Sequence, residues 1–212
     1  MRASPVAASM LILAAAWLAM AAAAPALADP ITHLGIEFSD ELGGFRLISV
    51  SGTGTVDDPL TVEEEITEPQ RHVILTIRGF GRHFGNRVGS LHLAGFAMRK
   101  IVHNRSGNIW RNYQMELREV TTRRSNYGDG LSFGQNSTLA ETYAWSTFPR
   151  IQRTDEPEDS LGFSGATVGP GETAEFRFII TDMSPVWQFF LVQIPMQPLS
   201  RLEPAGVNWA AR

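Results

Sequence analysis

Alternation with a period of two governs this chain. Between Arg71 and Gly79, Val73, Leu75 and Ile77 fall on one side of an extended backbone, with His72, Ile74, Thr76 and Arg78 on the other. Tyr113 to Arg118 alternates in the same way, and Glu175 to Ile180 sets Phe176, Phe178 and Ile180 against Glu175 and Arg177. A strand turns successive side chains to opposite faces, so each segment buries one face and wets the other. Further candidate strands are Gly35 to Phe38, Phe45 to Ser51, Leu60 to Ile66, Leu91 to His103, Leu131 to Phe133 and Val186 to Ile194. Turn residues separate them at short intervals: Gly43-Gly44, Gly52-Thr53-Gly54, Asp57-Asp58-Pro59, Ser106-Gly107-Asn108, Gly128-Asp129-Gly130 and Gly169-Pro170-Gly171. In the last, Pro170 presets φ and Gly171 supplies the positive φ of a type II turn. Many short strands so punctuated predict an all-β fold, an immunoglobulin-like or jelly-roll β-sandwich. Val186 to Ile194 is apolar on both sides and reads as a central strand with Trp187 in the core. A short helix is expected over 139–145, where Thr138 and Glu141 fit a capping box.

The first 28 residues stand apart from this pattern. Arg2, an apolar run from Met10 to Ala24 and a small-residue site ending at Ala28 are the three parts of a secretory signal peptide. A spanning helix wants about 20 apolar residues, and Pro25 breaks this stretch. The expected organisation is a signal peptide over 1–28, a β-sandwich over 29–196 and a tail over 197–212. No transmembrane anchor is expected after cleavage. The chain carries 18 basic and 22 acidic residues, and only Arg2 leaves with the leader. The domain is therefore mildly acidic, which gives it no general attraction to nucleic acid. The sequence has no cysteine. Beside a signal peptide this points to a bacterial periplasmic or extracellular protein that folds on its core alone.

The segment Val102-His103-Asn104-Arg105-Ser106-Gly107-Asn108-Ile109-Trp110-Arg111-Asn112-Tyr113 through Leu117, followed later by Gly169-Pro170-Gly171 through Phe176, Phe178 and Ile180, resembles a strand-turn-strand pattern of exported bacterial β-sandwich domains. Such domains are common among proteins bearing a PEP-CTERM sorting tail. The resemblance covers under a third of the chain, and no membrane helix or basic cluster follows Glu203-Pro204. It implies a fold and a compartment, and it carries over no catalytic residues.

Chemistry-bearing residues give several expectations. His72, His83, His92 and His103 lie in one stretch, but none stands in an H-x-H or H-E-x-x-H spacing, so no metal site is expected from them. Gly162-Phe163-Ser164-Gly165-Ala166 has the outline of a nucleophile elbow. That motif needs a strand, a sharp turn and a helix; here it reads as a strand of small residues. Arg78, Arg82 and Arg87 share a glycine-rich loop and are candidate anion-binding residues. Glu63-Glu64-Glu65 with Glu68, and Asp155-Glu156-Pro157-Glu158-Asp159, are the candidate oxygen ligands for calcium, and no other cofactor is expected. Trp110, Tyr113 and Trp145 either pack on the core or form a platform for sugar rings or a peptide. The expected function is an exported, non-catalytic binding or surface-interaction module for a glycan or protein. The alternatives are a secreted hydrolase with a site assembled from loops, and a subunit that adds a strand to a partner's sheet edge.

Overall fold

The computed structural model describes residues 29–69, 73–126, 128–134, 137–154 and 158–196. The predicted leader, the predicted tail, His72 and Asp155 to Pro157 lie outside them. The strands are β1 (Ile31–His33), β2 (Ile36–Ser39), β3 (Phe45–Ser51), β4 (Leu60–Ile66), β5 (Val73–Arg78), β6 (Ala94–Asn104), β7 (Trp110–Arg118), β8 (Leu131–Ser132), β9 (Trp145–Ser146), β10 (Arg150–Thr154), β11 (Ser160–Val168), β12 (Thr173–Asp182) and β13 (Gln188–Met196); the helix is α1 (Thr138–Tyr143). One sheet runs β1-β2-β5-β13-β7-β11-β10 with antiparallel neighbours throughout. The other runs β3-β4-β6-β12-β8, with β9 also on β12 and a parallel β4–β6 pair. The two sheets pack together as an all-β sandwich, as the alternation predicts.

The alternating apolar positions fill the space between the sheets. Val73, Leu75 and Ile77 on β5 are fully buried, as are Phe176, Phe178 and Ile180 on β12. Rings from the two sheets meet: the Tyr113 centroid lies 4.6 Å from Phe176, and Phe80, just beyond β5, bridges the sheets at 5.2 Å from Phe96 and 5.3 Å from Phe189. Each fully buried ring of this size contributes roughly 2 to 3 kcal/mol by leaving water.

Local chemistry sets the turns. Glu172 N–H donates to the Gly169 carbonyl at 3.1 Å with Gly171 at φ 84°, which is the expected type II turn. Asn104 closes the β6–β7 turn, donating from Nδ2 to the Asn108 and Val168 carbonyls and accepting the Ser106 N–H and hydroxyl on Oδ1.

Three expectations are corrected. The strand expected from Leu91 begins at Ala94, because the Asn86 amide donates to the Ser90 and His92 carbonyls and curls that stretch into a loop. The strand expected over Val186 to Ile194 runs instead from Gln188 to Met196. The chain bends at Met183-Ser184 before it, where Ser184 N–H donates to the Asp182 carboxylate, and Trp187 is left 66% exposed and outside the core. The helix is capped by Ser137, whose hydroxyl accepts from Ala140 N–H, one residue before the predicted Thr138.

Strand register gathers the loops at one end. Arg78 pairs with Gln188, Ala94 with Asp182, Asp182 with Leu131, and Phe190 with Arg118. The segments 79–93, 119–126 with 128–130, and 183–187 therefore emerge together. The β1–β2 turn joins them, because Glu37 pairs with Arg78.

Candidate functional site

The predicted binding residues do not converge. Trp110 is fully buried and Tyr113 is 1% exposed, the two rings meeting edge to face at 5.8 Å. Tyr113 points inward because it lies on the core face of β7, where Met115 and Leu117 follow at a period of two; Trp110, three residues earlier and out of that phase, is buried beside the register shift between β7 and β11. Neither can offer a ring face to a ligand. Trp145 is 49% exposed on the short β9, with the Arg177 guanidinium 5.5 Å from its ring centroid. The arginines are likewise dispersed. Arg78 donates to Glu37 and Gln188 at 2.7 Å each and also to Glu41, so its charge is neutralised within the fold. Arg87 donates to the Thr53 carbonyl at 2.6 Å and lies over the Phe84 ring, while Arg82 is exposed.

The acidic triplet alternates along β4 and engages three different partners. Glu63 accepts from His103 and Ser49, Glu64 from Lys100, and Glu65 from Arg46. Glu158 pairs with Arg124. A shared cation would have to displace these partners, and no group of three or more metal-ligating side chains forms among the described residues. Ser164 sits inside β11, paired on both sides with β10 and β7, so the elbow geometry is absent. His83 stacks near Trp187, His92 contacts Ser90, and His103 bonds Glu63; the three histidines serve three places.

What the fold does assemble is the loop-bearing end. Leu91 is 96% exposed, and Leu34, Leu93, Val120, Met183 and Trp187 stand out around it. Six of the nine large hydrophobic side chains exposed among the described residues thus lie at this end. Between these loops is a cleft of about 580 Å³, with Ser90, Leu91 and His92 on one wall and Met183, Ser184 and Ser137 on others. Asn86 builds the first wall: its amide nitrogen donates to the Ser90 hydroxyl at 2.8 Å and to both neighbouring carbonyls, and its oxygen accepts Val88 N–H. Gly130, at φ 86°, lets the facing turn approach Met183 and Ser184, where a Cβ would meet the Ser184 hydroxyl at 3.0 Å.

The chain matches no protein-family model, no curated protein and no solved structure.

Two electrostatic features accompany the cleft. Asp182, fully buried immediately before the cleft-lining Met183, accepts Ser184 N–H on Oδ1, and its Oδ2 has no hydrogen-bond partner. Burial pushes its carboxyl up to about 6, and the charges of Glu119 and Asp129 add to that rise. Glu119 is itself raised, first by burial and then by Asp129. Burial also lowers His92 below its ordinary value, which favours a neutral imidazole 3.1 Å from the Ser90 hydroxyl. One signal for this end was present in the sequence: Met183-Ser184-Pro185 breaks the apolar run before Trp187. The exposure of Leu91 and Leu93 carried no such mark.

Proposed function

We propose that the chain is an exported, non-catalytic binding module that engages a protein partner through the loop-bearing end of the sandwich. The observation that carries this reading is the concentration of exposed apolar side chains there, Leu91 and Trp187 above all. Soluble domains seldom leave such side chains grouped unless something covers them. The cleft between the loops supplies hydroxyls and backbone groups to orient what the apolar rim grips. Export rests on the leader-like first 28 residues, and an envelope partner follows from that compartment. The PEP-CTERM-type resemblance is in keeping with both.

The test is a paired measurement. Wild-type protein and a Leu91→Ser, Trp187→Ser variant are immobilised and presented to solubilised envelope proteins and to a glycan array. Saturable protein binding lost in the variant supports the reading. Equal binding by both, or binding to glycans alone, overturns it.

The hydrolase reading is favoured by one specific contact, the Ser90 hydroxyl beside the His92 Nδ1 in the cleft wall. In that reading His92 would take the serine proton and Ser90 would attack an acyl carbon. The Asn86 amide already donates to the same hydroxyl oxygen, which ties Ser90 into the loop. A fluorophosphonate probe decides between them: stoichiometric labelling at Ser90 makes the cleft an active site, and its absence leaves the binding reading.

A further inference from the structure

The sequence contains 17 arginines and a single lysine, Lys100. Every other side-chain cation is a guanidinium, and the one primary side-chain amine occupies the middle of the sandwich. Lys100 on β6 and Glu64 on β4 belong to adjacent parallel strands, with Lys100 in register with Val62 and Glu64 in register with Val102. Both side chains are 0% exposed, and Nζ lies 2.5 Å from Oε2. Glu64 Oε1 has no hydrogen-bond partner. A pair in this state is a poor stabiliser, since desolvation of two ions can outweigh their attraction and an orphaned carboxylate oxygen adds to the cost. Burial lowers the Lys100 amine below its ordinary value, with the Glu64 charge pulling the other way. An amine deprived of water, in contact with one carboxyl group and held there by two paired strands, has the proximity that condensation requires.

We propose that Lys100 and Glu64 condense into an intramolecular amide that links β4 to β6. Within the pair, the ammonium proton passes along the shared hydrogen bond to the carboxylate, leaving a neutral amine and a carboxylic acid. The Nζ lone pair attacks Cδ, the Nζ–Cδ bond forms and the Cδ–O bond to the protonated oxygen breaks. That hydroxyl leaves with a proton from nitrogen as one water. No atom changes oxidation state and no co-reactant enters. The product removes two charges from the core and replaces them with one neutral amide. It also closes a loop of 36 residues in a chain that has no cysteine with which to make a disulfide. A crosslink of that span restricts the unfolded ensemble as a disulfide would.

The experiment needs only the purified protein. Its intact mass under denaturing conditions is expected to fall one water below that of its own termini and sequence. Proteolysis should yield one branched peptide joining the Glu64 and Lys100 segments. An amine-reactive reagent applied to the denatured chain should label the N-terminus and spare Lys100. Full sequence mass with a labelled Lys100 overturns the proposal. So does a loss of one ammonia, which would make a carboxamide such as Gln193 or Asn104 the acceptor. Lys100→Met should regain the missing water, and a variant that stays lighter places the loss elsewhere. If that variant does not fold, mass and labelling of the wild-type chain still decide.

Discussion

The Tyr113 hydroxyl donates to Gln193 Oε1 at 2.9 Å inside the core, joining β7 to β13. The Gln193 side chain is fully buried and its Nε2 has no other partner. Tyr113→Phe keeps the ring and removes the donor, leaving a buried carboxamide unsatisfied. The expected cost is about 1 to 3 kcal/mol of unfolding free energy, read from urea denaturation. Unchanged stability would contradict the inward placement of Tyr113.

Asp182 makes stability depend on pH in a characteristic direction. Its carboxyl rises from an ordinary 3.8 to about 6 in the fold. Between those values the folded state holds a proton that the unfolded state releases, so this group's contribution falls as pH rises through the window and is level above it. The two-unit shift corresponds to about 3 kcal/mol. Asp182→Asn should therefore gain stability relative to wild type on going from pH 4 to pH 7.5. Thermal unfolding at the two pH values gives the difference directly.

Glu116 works in the opposite sense. It is fully buried, with Arg118 at 2.6 Å and Arg124 at 2.7 Å. Burial pushes its carboxyl up, but hydrogen bonds from Arg124 and Arg118 more than offset that and leave it below the ordinary value of 4.5. The stabilisation is present above that value and is lost as pH falls through the folded-state value. Arg124→Met removes one of the two guanidiniums, and the midpoint of acid unfolding followed by circular dichroism should move to higher pH.

Gly52 sits at φ 86°, and a Cβ there would stand 2.0 Å from the Pro59 carbonyl oxygen. Alanine would meet both the left-handed backbone and that contact. Gly52→Ala should lose more than the roughly 1 to 2 kcal/mol of the backbone term alone, whereas Gly43→Ala, with open space around its Cβ, should lose only about that much. Denaturant midpoints of the pair provide the comparison.

Trp187 and Trp110 define the two extremes of tryptophan exposure among the described residues, 66% and fully buried. Iodide should quench a large part of the native fluorescence, and Trp187→Phe should remove much of that part with little change in melting temperature. If quenching is unaffected by the substitution, the exposure of Trp187 is contradicted. The same variant should bind less of a hydrophobic dye, since it thins the apolar end.

Residue order alone determined the class of fold. A period of two places Val73, Leu75, Ile77, Phe176, Phe178 and Ile180 on buried faces, and the Pro170-Gly171 turn follows from φ preferences that belong to those residues wherever they occur. These are local properties, so they can be read locally. Exposure at strand ends is not local. Trp187 and Leu91 look like core residues by composition, yet a bend at Met183-Ser184 and the Asn86 amide hold them outside the strands. Trp110 and Tyr113 sit among polar neighbours in sequence, yet both are buried, Tyr113 against Phe176 and Trp110 against Tyr113.

Pairing between distant segments is where the tertiary structure decided everything. The parallel register of β4 with β6 brings Glu64 to Lys100, and the antiparallel registers of β12 and β13 gather the loops that carry the apolar end. The sequence shows one lysine beside 17 arginines; only the packing of two sheets shows that this amine faces a carboxylate with neither side chain exposed to solvent. The physical reason is that burial and charge pairing depend on which strands become neighbours, and the free energy that selects those neighbours is summed over the whole core.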